Sequence, residues 1–391
     1  MQFSFGLLII PGLVIFFATL FIAFEVTRTV SFSIVAAILK AGVFVLYFGL
    51  LFDGTFTFSD DWDYLDMAND MYDQDLGIAD VIDNEDALQS ISSGEHYGYP
   101  LYNVYAIKFF GNGYYAPVAL NIILTLFIAW VGANLAAIEF GFTGAWRKIF
   151  FAFLLFHPDI FAWSNIMNGK DTLILLLHIL LLYAASMFFR KRIYFSVALA
   201  FIVCSMLSAL RFYVPLLFGA AFGASLLLIT TRNYSNILKF AVAGLVLSGL
   251  ILSDHFDFQV NLGFIQDAFV NPLYGFVHFL FTPIPFHTEP EYSFLDIPAV
   301  IHWMLMPFVI LSFITIIRQP TDYERFFLLY VFLFLVLYSC YGELQEPRHR
   351  VQMDYAFAVF QFMGAKPYLH WAFALQREAA DKFIRRQAEN N

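Results

Sequence analysis

Long apolar runs, separated by short polar segments, recur along the whole chain. A helix rises about 1.5 Å per residue, so roughly 20 apolar residues cross the hydrocarbon layer of a bilayer. A lipid-exposed segment must also satisfy its own backbone hydrogen bonds, which favours helices. The sequence therefore predicts an all-α polytopic membrane protein with about eleven transmembrane helices, at 5–24, 31–52, 114–138, 149–165, 171–189, 193–210, 212–230, 238–253, 298–317, 326–341 and 354–374.

The predicted spans distribute the basic residues unequally between the two sides of the membrane. One side receives Arg28, Arg147, Lys148, Arg190, Lys191, Arg192, Arg232, Lys239, Arg318, Arg325, Arg377, Lys382, Arg385 and Arg386. Short cytoplasmic loops carry an excess of Lys and Arg, so this side is expected to be the cytoplasm. The chain is then a single integral-membrane domain, 1–391, with an outer N-terminus and a cytoplasmic tail, 376–391.

Two long segments fall on the outer side in this arrangement. The first, 53–113, is rich in Asp and Glu and has no basic residue before Lys108. Four of its aspartates recur at helical spacing, which predicts a helix over 60–75. The second, 254–297, contains repeated prolines, which favour short helices and turns near the membrane interface.

Composition narrows the class of protein further. Hydrophobic residues make up 60% of the chain and charged residues 13%, and the mean hydropathy is +0.71. This balance excludes an ordinary soluble enzyme, a disordered chain and a disulfide-stapled secreted module. The net charge of −10 argues against nucleic acid as a partner. Cys204 and Cys340 lie in apolar runs, which indicates core packing rather than redox or metal chemistry.

Charged residues close to the membrane are the strongest candidates for chemistry, because charge is costly there. Separate outer helix ends carry Lys170, Arg211, Arg348, His349 and Arg350. Folding could join them into a phosphate or pyrophosphate site, since Arg donates a two-pronged fork and Lys acts as a point charge. Simpler alternatives stay open: Lys170 could pair with Asp171 at a helix end, and Arg348 and Arg350 could extend to lipid head groups.

The acidic segment supplies the complementary groups. Asp60 and Asp61 follow a predicted span closely and lie beside aromatic residues at the expected interface. A carboxylate in that position suits a general base that acts on a hydroxyl group. The same segment could bind Mg²⁺ or Mn²⁺ or simply be hydrated, so the need for a metal stays open. The histidines, including His157 and His302, show no metal-ligand spacing.

Three segments follow one another along the chain and fall on one predicted side. The first is SDDWDYLDMA, the second is HPDIFAWSNIMNGKD, and the third combines FTPIPFHTE with EPRHRVQMD. In this order they resemble the GT-C type of membrane glycosyltransferase and, more narrowly, membrane proteins of bacterial exopolysaccharide and O-antigen clusters. The first is similar to the aspartate motif that these enzymes place beside the lipid carrier, and the second matches a family segment at Pro158, Ser164, Lys170 and Asp171. The third is similar to a Pro-x-Pro-aromatic loop followed by a late Arg-His-Arg element.

The resemblance implies a glycosyltransferase of polysaccharide assembly in the bacterial inner membrane, with its active site facing the periplasm or exterior. The donor would be a sugar linked to polyprenyl phosphate or polyprenyl diphosphate, and the acceptor a glycan. Asp60 or Asp61 would act as the base in a direct displacement. The donor phosphate would be held by Lys170, Arg211, Arg348, His349 and Arg350. The acceptor sugar would contact Asp63, Tyr64, His287 and Glu289. No cofactor is expected beyond a Mg²⁺ or Mn²⁺ ion.

Two other functions are compatible with the same sequence. A transporter or flippase of lipid-linked oligosaccharides predicts paired repeats and ionisable residues near the bilayer midplane. The sequence shows no evident repeat, and Lys40 and His178 are the weak support for this function. A non-catalytic scaffold of a polysaccharide machine predicts instead that the outer charges tolerate substitution.

Overall fold

The computed structural model of the protein describes residues 2–92, 97–228 and 271–389. Within these ranges the regular structure is helical and no β-strand is present, so the predicted all-α class is confirmed there. The predicted span 238–253 lies outside the described residues. The same is true of 254–270, the first part of the predicted proline-rich loop.

In the first half of the chain, two long helices precede the acidic segment and further long helices follow it. The helices of this half are α1 (Phe5–Thr27), α2 (Val30–Leu46, followed by a π-helical turn at Tyr47–Leu51), α3 (Ser59–Asp73), α4 (Asp80–Asp83), α5 (Glu85–Ile91), α6 (Gly98–Phe110), α7 (Tyr115–Glu139), α8 (Ala145–Leu155), α9 (Pro158–Ile166) and α10 (Asp171–Phe189). The helix predicted over 60–75 is thus present as α3.

The helices of the second half include the longest of the described chain. They are α11 (Ile193–Ser208), α12 (Tyr213–Leu228), α13 (Pro272–Phe281), a 3₁₀ helix at Pro290–Leu295, α14 (Asp296–Arg318), α15 (Asp322–Cys340), a 3₁₀ helix at Gly342–Leu344, α16 (Pro347–Val351) and α17 (Asp354–Glu389). The described part of the proline-rich loop therefore consists of short helices joined by turns, as its prolines predict.

Six helical segments in the described ranges are long and apolar enough to cross a membrane. They are Phe5–Thr27, Val30–Leu51, Tyr115–Glu139, Asp171–Phe189, Pro290–Arg318 and Asp322–Cys340. The number rises to seven if the bent pair α8 and α9 forms one span. The protein is therefore a polytopic membrane protein by the length and composition of its helices, and the prediction of eleven spans is wrong.

Helix length, bending and polar residues explain most of the difference. α11 has 16 residues, or about 24 Å at 1.5 Å per residue, which is shorter than a hydrocarbon layer of about 30 Å. α12 is described as far as Leu228. The run 149–165 is divided between α8 and α9, which meet at 42°. Pro158 begins α9, where its missing N–H costs no helical hydrogen bond. In the run 354–374, Gln361 and Lys366 interrupt the apolar stretch.

Contacts between helix termini distinguish the two ends of the helical bundle. At one end, the Phe3 N–H donates to the Phe48 carbonyl at 3.1 Å, which joins the N-terminal segment to the end of α2. At the other end, Arg190 Nε donates to Glu139 Oε1 at 2.9 Å, which joins the ends of α10 and α7. Between the ends, the core is rich in phenylalanine, and rings pack edge to face in the way that aromatic quadrupoles favour.

Candidate functional site

The start of α3 presents two aspartates in different environments. Asp60 and Asp61 lie in the first turn of α3, where carboxylates interact favourably with the helix dipole. The Phe58 N–H donates to Asp61 Oδ2 at 3.2 Å, which satisfies a backbone donor just before the helix. Asp61 is buried, whereas the side chain of Asp60 is 47% exposed. The two neighbours therefore have separate roles.

Asp61 anchors α3 to the membrane helices. The Tyr114 hydroxyl donates to Asp61 Oδ2 at 3.0 Å, and Asn168 Nδ2 donates to the Asp61 carbonyl at 3.0 Å. Burial raises the pKa of Asp61 to about 7, against the opposing effect of hydrogen bonds from Phe58 and Tyr114. These contacts fix the position of α3 against the start of α7 and the segment before α10.

Asp60 forms an ion pair with a residue from the distant end of the chain. Arg348 Nη1 donates to Asp60 Oδ2 at 3.0 Å, and Arg348 Nε lies 2.7 Å from Glu346 Oε2. Burial opposes the charge on Arg348, but Glu346, Asp171 and Asp60 together raise its pKa above the ordinary value. The guanidinium is thus permanently charged and faces carboxylates.

A cavity of about 730 Å³ opens over this ion pair. Its lining includes Asp60, Arg348, His287 and Glu289. The structure therefore brings together four residues that the sequence singled out, from α3, the proline-rich loop and α16. A space of this size is within the range of small-molecule binding sites.

Lys170 contributes a second cation close to the pair. Its Nζ donates to the Tyr64 hydroxyl at 2.9 Å and lies 5.2 Å from the centre of the Tyr64 ring. Burial and then the neighbouring charge of Arg211 lower the pKa of Lys170 to about 8, while Asp171 acts in the opposite direction. The ammonium group is therefore charged at neutral pH but close to its titration range.

Arg211 occupies the turn between α11 and α12 and faces Asp171. The Arg211 Nη2 and Asp171 Oδ1 atoms are 3.8 Å apart, and both side chains are mostly buried. Gln352 Nε2 donates to the same Asp171 oxygen at 2.7 Å, and the Tyr338 hydroxyl donates to Gln352 Oε1 at 3.1 Å. Asp171 also contributes to the electrostatic environment of Arg348, so these residues belong to one charged group.

The charged cluster is the name used below for Asp60, Lys170, Asp171, Arg211 and Arg348. Sequence reasoning identified its three cations but gave Asp171 a role only as a helix-end partner of Lys170. It missed Gln352, which follows α16 and positions Asp171, and Tyr338 of α15, which positions Gln352. No spacing in the sequence indicates these two residues, because both look like ordinary helix-end positions.

Arg350, His349 and Asp63 lie outside both the cavity lining and the charged cluster, as do Asp61 and Tyr64 described above. Arg350 does not reach the cavity: it is 1% exposed, and its Nη2 donates to Asp159 Oδ1 at 3.2 Å. His349 is buried, with its ring centre 6.3 Å from that of Tyr338. Asp63 is exposed on α3 and is not part of the cavity lining. The expected phosphate site therefore loses Arg350, because a buried carboxylate already holds its guanidinium.

A second, mainly apolar cavity has a volume of about 660 Å³. Its lining includes Leu173 and Leu210, each within two positions of a cluster residue, and aromatic residues of the acidic segment such as Tyr97 and Tyr102. The apolar cavity is therefore lined by sequence neighbours of the cluster and not by the cluster residues themselves.

Comparisons with protein-family models, with curated proteins and with solved structures find no match for this chain. The class that the fold itself defines is a polytopic helical membrane protein with a cavity over a partly buried charged cluster.

Proposed function

We propose that the protein is a membrane glycosyltransferase that takes its sugar from a polyprenyl-phosphate or polyprenyl-diphosphate donor. We assign the reaction to exopolysaccharide or O-antigen assembly at the outer face of the inner membrane, as chain polymerisation or as sugar addition. The observation that carries the proposal is the Asp60–Arg348 ion pair at 3.0 Å in the cavity of about 730 Å³.

The cations of the charged cluster suit the donor's phosphate. Arg348 offers its guanidinium fork in the cavity, and Arg211 and Lys170 lie behind it with their own carboxylate and hydroxyl partners. Arg binds phosphate oxygens in a bidentate manner, and Lys adds a point charge. The second cavity suits the first isoprene units of the carrier lipid, because its lining is mainly apolar.

Donor binding would also prepare the base. In the structure described here, Asp60 is held by Arg348. A phosphate that takes over the guanidinium fork releases the Asp60 carboxylate toward the cavity. Asp60 then accepts the proton of the acceptor hydroxyl while that oxygen forms a bond to the sugar C1 atom. The bond from C1 to the phosphate oxygen breaks, and Arg348 and Lys170 stabilise the charge on the departing lipid phosphate.

Accessibility favours Asp60 over Asp61 as the base. A base must come within hydrogen-bond distance of the proton that it removes. Asp60 lines the cavity, whereas Asp61 is buried against Tyr114 and Phe58. His287 and Glu289 face the same cavity and are the assigned contacts of the acceptor sugar.

The proposal is tested with Asp60→Asn and Arg348→Ala in cells that depend on the protein for their polysaccharide. Both variants should accumulate in the membrane at normal levels and abolish the polymer. Asp66→Asn, which changes an exposed aspartate of the same helix, is the matched control and should leave the polymer unchanged. Normal polymer from both cavity variants contradicts the mechanism.

A binding experiment separates the phosphate site from the rest of the mechanism. Purified protein in detergent should bind undecaprenyl phosphate, as measured by native mass spectrometry, and should not bind the uncharged polyprenol to the same extent. Arg348→Ala should weaken binding at least tenfold, since about 1.5–3 kcal/mol is typical for a hydrogen bond to a charged group. Equal binding of the phosphate and the alcohol contradicts a site for the lipid phosphate.

Lys40 favours one alternative function, a transporter of lipid-linked oligosaccharides. This lysine lies in α2, is completely buried, and donates to Thr125 of α7 at 3.0 Å. Ionisable residues inside spans often mark transport pathways. Protein in liposomes that moves a labelled lipid-linked sugar across the bilayer without forming a glycosidic bond supports this alternative, and Lys40→Met should then stop the movement.

A further inference from the structure

A separate group of polar side chains is buried where α9 meets α17. His157 precedes α9, Asp159 lies in the first turn of α9, and Asp354 begins α17. Each is at most 1% exposed, and none of them lines either cavity described above. One potential ligand atom from each residue lies within 4.8 Å of the others. Three good metal donors thus converge from two parts of the sequence.

The carboxylates of this group are not helix caps. An aspartate at the start of a helix usually accepts a hydrogen bond from a backbone N–H. Both carboxylate oxygens of Asp354 and the Oδ2 atom of Asp159 are buried without any hydrogen-bond partner. Unpaired buried acceptors are rare, because removing a polar group from water costs free energy that only a partner offsets.

Two histidines, His302 and His157, lie beside these carboxylates. His302 Nε2 faces the Leu280 carbonyl at 3.0 Å, and a carbonyl only accepts, so Nε2 carries the proton and Nδ1 does not. His302 Nδ1 lies 3.6 Å from Asp159 Oδ2. His157 Nε2 similarly faces Gln361 Oε1 at 3.2 Å, which leaves the buried His157 Nδ1 as an acceptor.

Asp354 has no partner for its charge or its lone pairs. Arg350 is the one cation that pairs with the group among the described residues, through Nη2 and Asp159 Oδ1 at 3.2 Å. Both oxygens of the buried Asp354 carboxyl group are left without a hydrogen-bond partner. A buried carboxyl group of this kind needs a metal ion or a proton, because burial without a partner costs free energy.

We propose that His157, Asp159 and Asp354 bind a divalent transition-metal ion, with His302 beside the ligand set, its Nδ1 3.6 Å from Asp159 Oδ2. Ligand atoms about 2.1 Å from an ion lie at most about 4.2 Å apart, so three donors within 4.8 Å of one another need only a small shift to share one ion. Imidazole with carboxylate suits Zn²⁺ or Mn²⁺ better than Mg²⁺. Arg350 and Gln361 then orient Asp159 and His157 from outside the ligand set.

The ion would join the start of α9 to the start of α17. These elements approach each other from positions almost 200 residues apart in the chain, as the 191-residue separation of Asp159 and Arg350 illustrates. A ligand that binds the folded protein and not the unfolded chain stabilises the fold. The site is therefore structural, and it is independent of the glycosyltransferase proposal, because none of its ligands belongs to the charged cluster.

Metal content and thermal unfolding test the site. The full-length chain, purified in detergent without added metal, should contain one equivalent of Zn²⁺ or Mn²⁺ by elemental mass spectrometry. Chelation should lower the unfolding temperature by several degrees, and ZnCl₂ or MnCl₂, but not MgCl₂, should restore it. Substitution with Co²⁺ should give a visible absorption band typical of nitrogen and oxygen ligands.

Asp354→Asn should remove the metal and make the unfolding temperature insensitive to the chelator. If this variant does not accumulate, His157→Gln provides the same test, because it removes the imidazole but keeps a polar side chain. Asp70→Asn, in the exposed acidic segment, should behave like the unaltered protein. A metal-free chain whose unfolding temperature responds to none of these ions overturns the proposal, and the group then holds protons instead. Loss of the ion in Asp70→Asn also overturns it, because the metal would then belong to the acidic segment.

Discussion

Replacing Asp61 with asparagine gives the sharpest test of the roles assigned to the two neighbouring aspartates. Asn keeps the size of the side chain and an oxygen that can accept from Phe58 and Tyr114, as Asp61 Oδ2 does. It removes only the ability to ionise. The effect on stability is therefore a direct measure of what the buried carboxylate contributes at each pH.

The magnitude follows from the raised pKa. Burial raises the pKa of Asp61 from 3.8 to about 7. One pKa unit corresponds to about 1.36 kcal/mol, so the shift of roughly three units is worth about 4 kcal/mol. The folded state favours the protonated carboxyl group. Its stabilising effect is therefore complete below about pH 4, declines as the pH rises, and is lost above about pH 7.

The assay is unfolding of the detergent-purified protein across about pH 4 to pH 8. As the pH rises, the free energy of unfolding should fall less for Asp61→Asn than for the unaltered protein. The two decreases should differ by up to about 4 kcal/mol by about pH 8. It should also retain transferase activity, whereas Asp60→Asn should lose it. The exposed Asp66→Asn is the control for general charge effects. Parallel pH curves for the unaltered protein and Asp61→Asn refute the reasoning, and loss of activity in Asp61→Asn refutes its role as an anchor.

Two further predictions concern the charged cluster and the packing of α13. Lipid phosphate binding should weaken as the pH rises above about 8, because burial and the charge of Arg211 lower the pKa of Lys170 to about 8. The measurement is the affinity for lipid phosphate at a series of pH values. In Lys170→Gln, the affinity should no longer change over this pH range. Gly275→Ala should destabilise the fold by about 1–3 kcal/mol or more in thermal unfolding, because the added Cβ would lie 1.9 Å from the Ser339 carbonyl oxygen. Gly219→Ala, where the added carbon meets nothing within 4 Å, should leave stability unchanged or slightly higher, and equal effects of the two changes contradict the packing argument.

Periodicity and hydropathy were sufficient for the long helices but not for the short ones. The six spanning segments coincide with runs predicted from the sequence, and α3 follows from aspartates at helical spacing. Apolar composition could not reveal that α11 stops after 16 residues, nor that α8 and α9 meet at 42°. Helix length and bending depend on local breaks and tertiary packing, which composition does not encode.

The candidate site was predictable in kind but not in detail. Because charge is costly near the membrane, Lys170, Arg211 and Arg348 were candidates from the sequence. In the structure, all three belong to the charged cluster. The same reasoning gave Arg350 an equivalent role, although it is two residues from Arg348 and points to a buried carboxylate. Which of two nearby arginines faces a cavity depends on how α16 turns, and no sequence pattern encodes that direction.

The buried polar group escaped sequence analysis for a similar reason. Metal-ligand spacing is recognisable when the ligands lie on one turn or one hairpin. Here His157 and Asp159 are close in sequence, but Asp354 and His302 come from much later segments. Only the packing of α9 against α17 and α14 brings these donors together.

The distance along the chain between Asp60 and Arg348 constrains how the protein is made. These partners are separated by 288 residues. A ribosome that has delivered the first acidic helix must synthesise most of the remaining polypeptide before the matching arginine emerges. An unfinished chain in the membrane therefore lacks the arginine to which we assign phosphate binding, so under the proposed function incomplete translation products should be unable to consume the donor sugar.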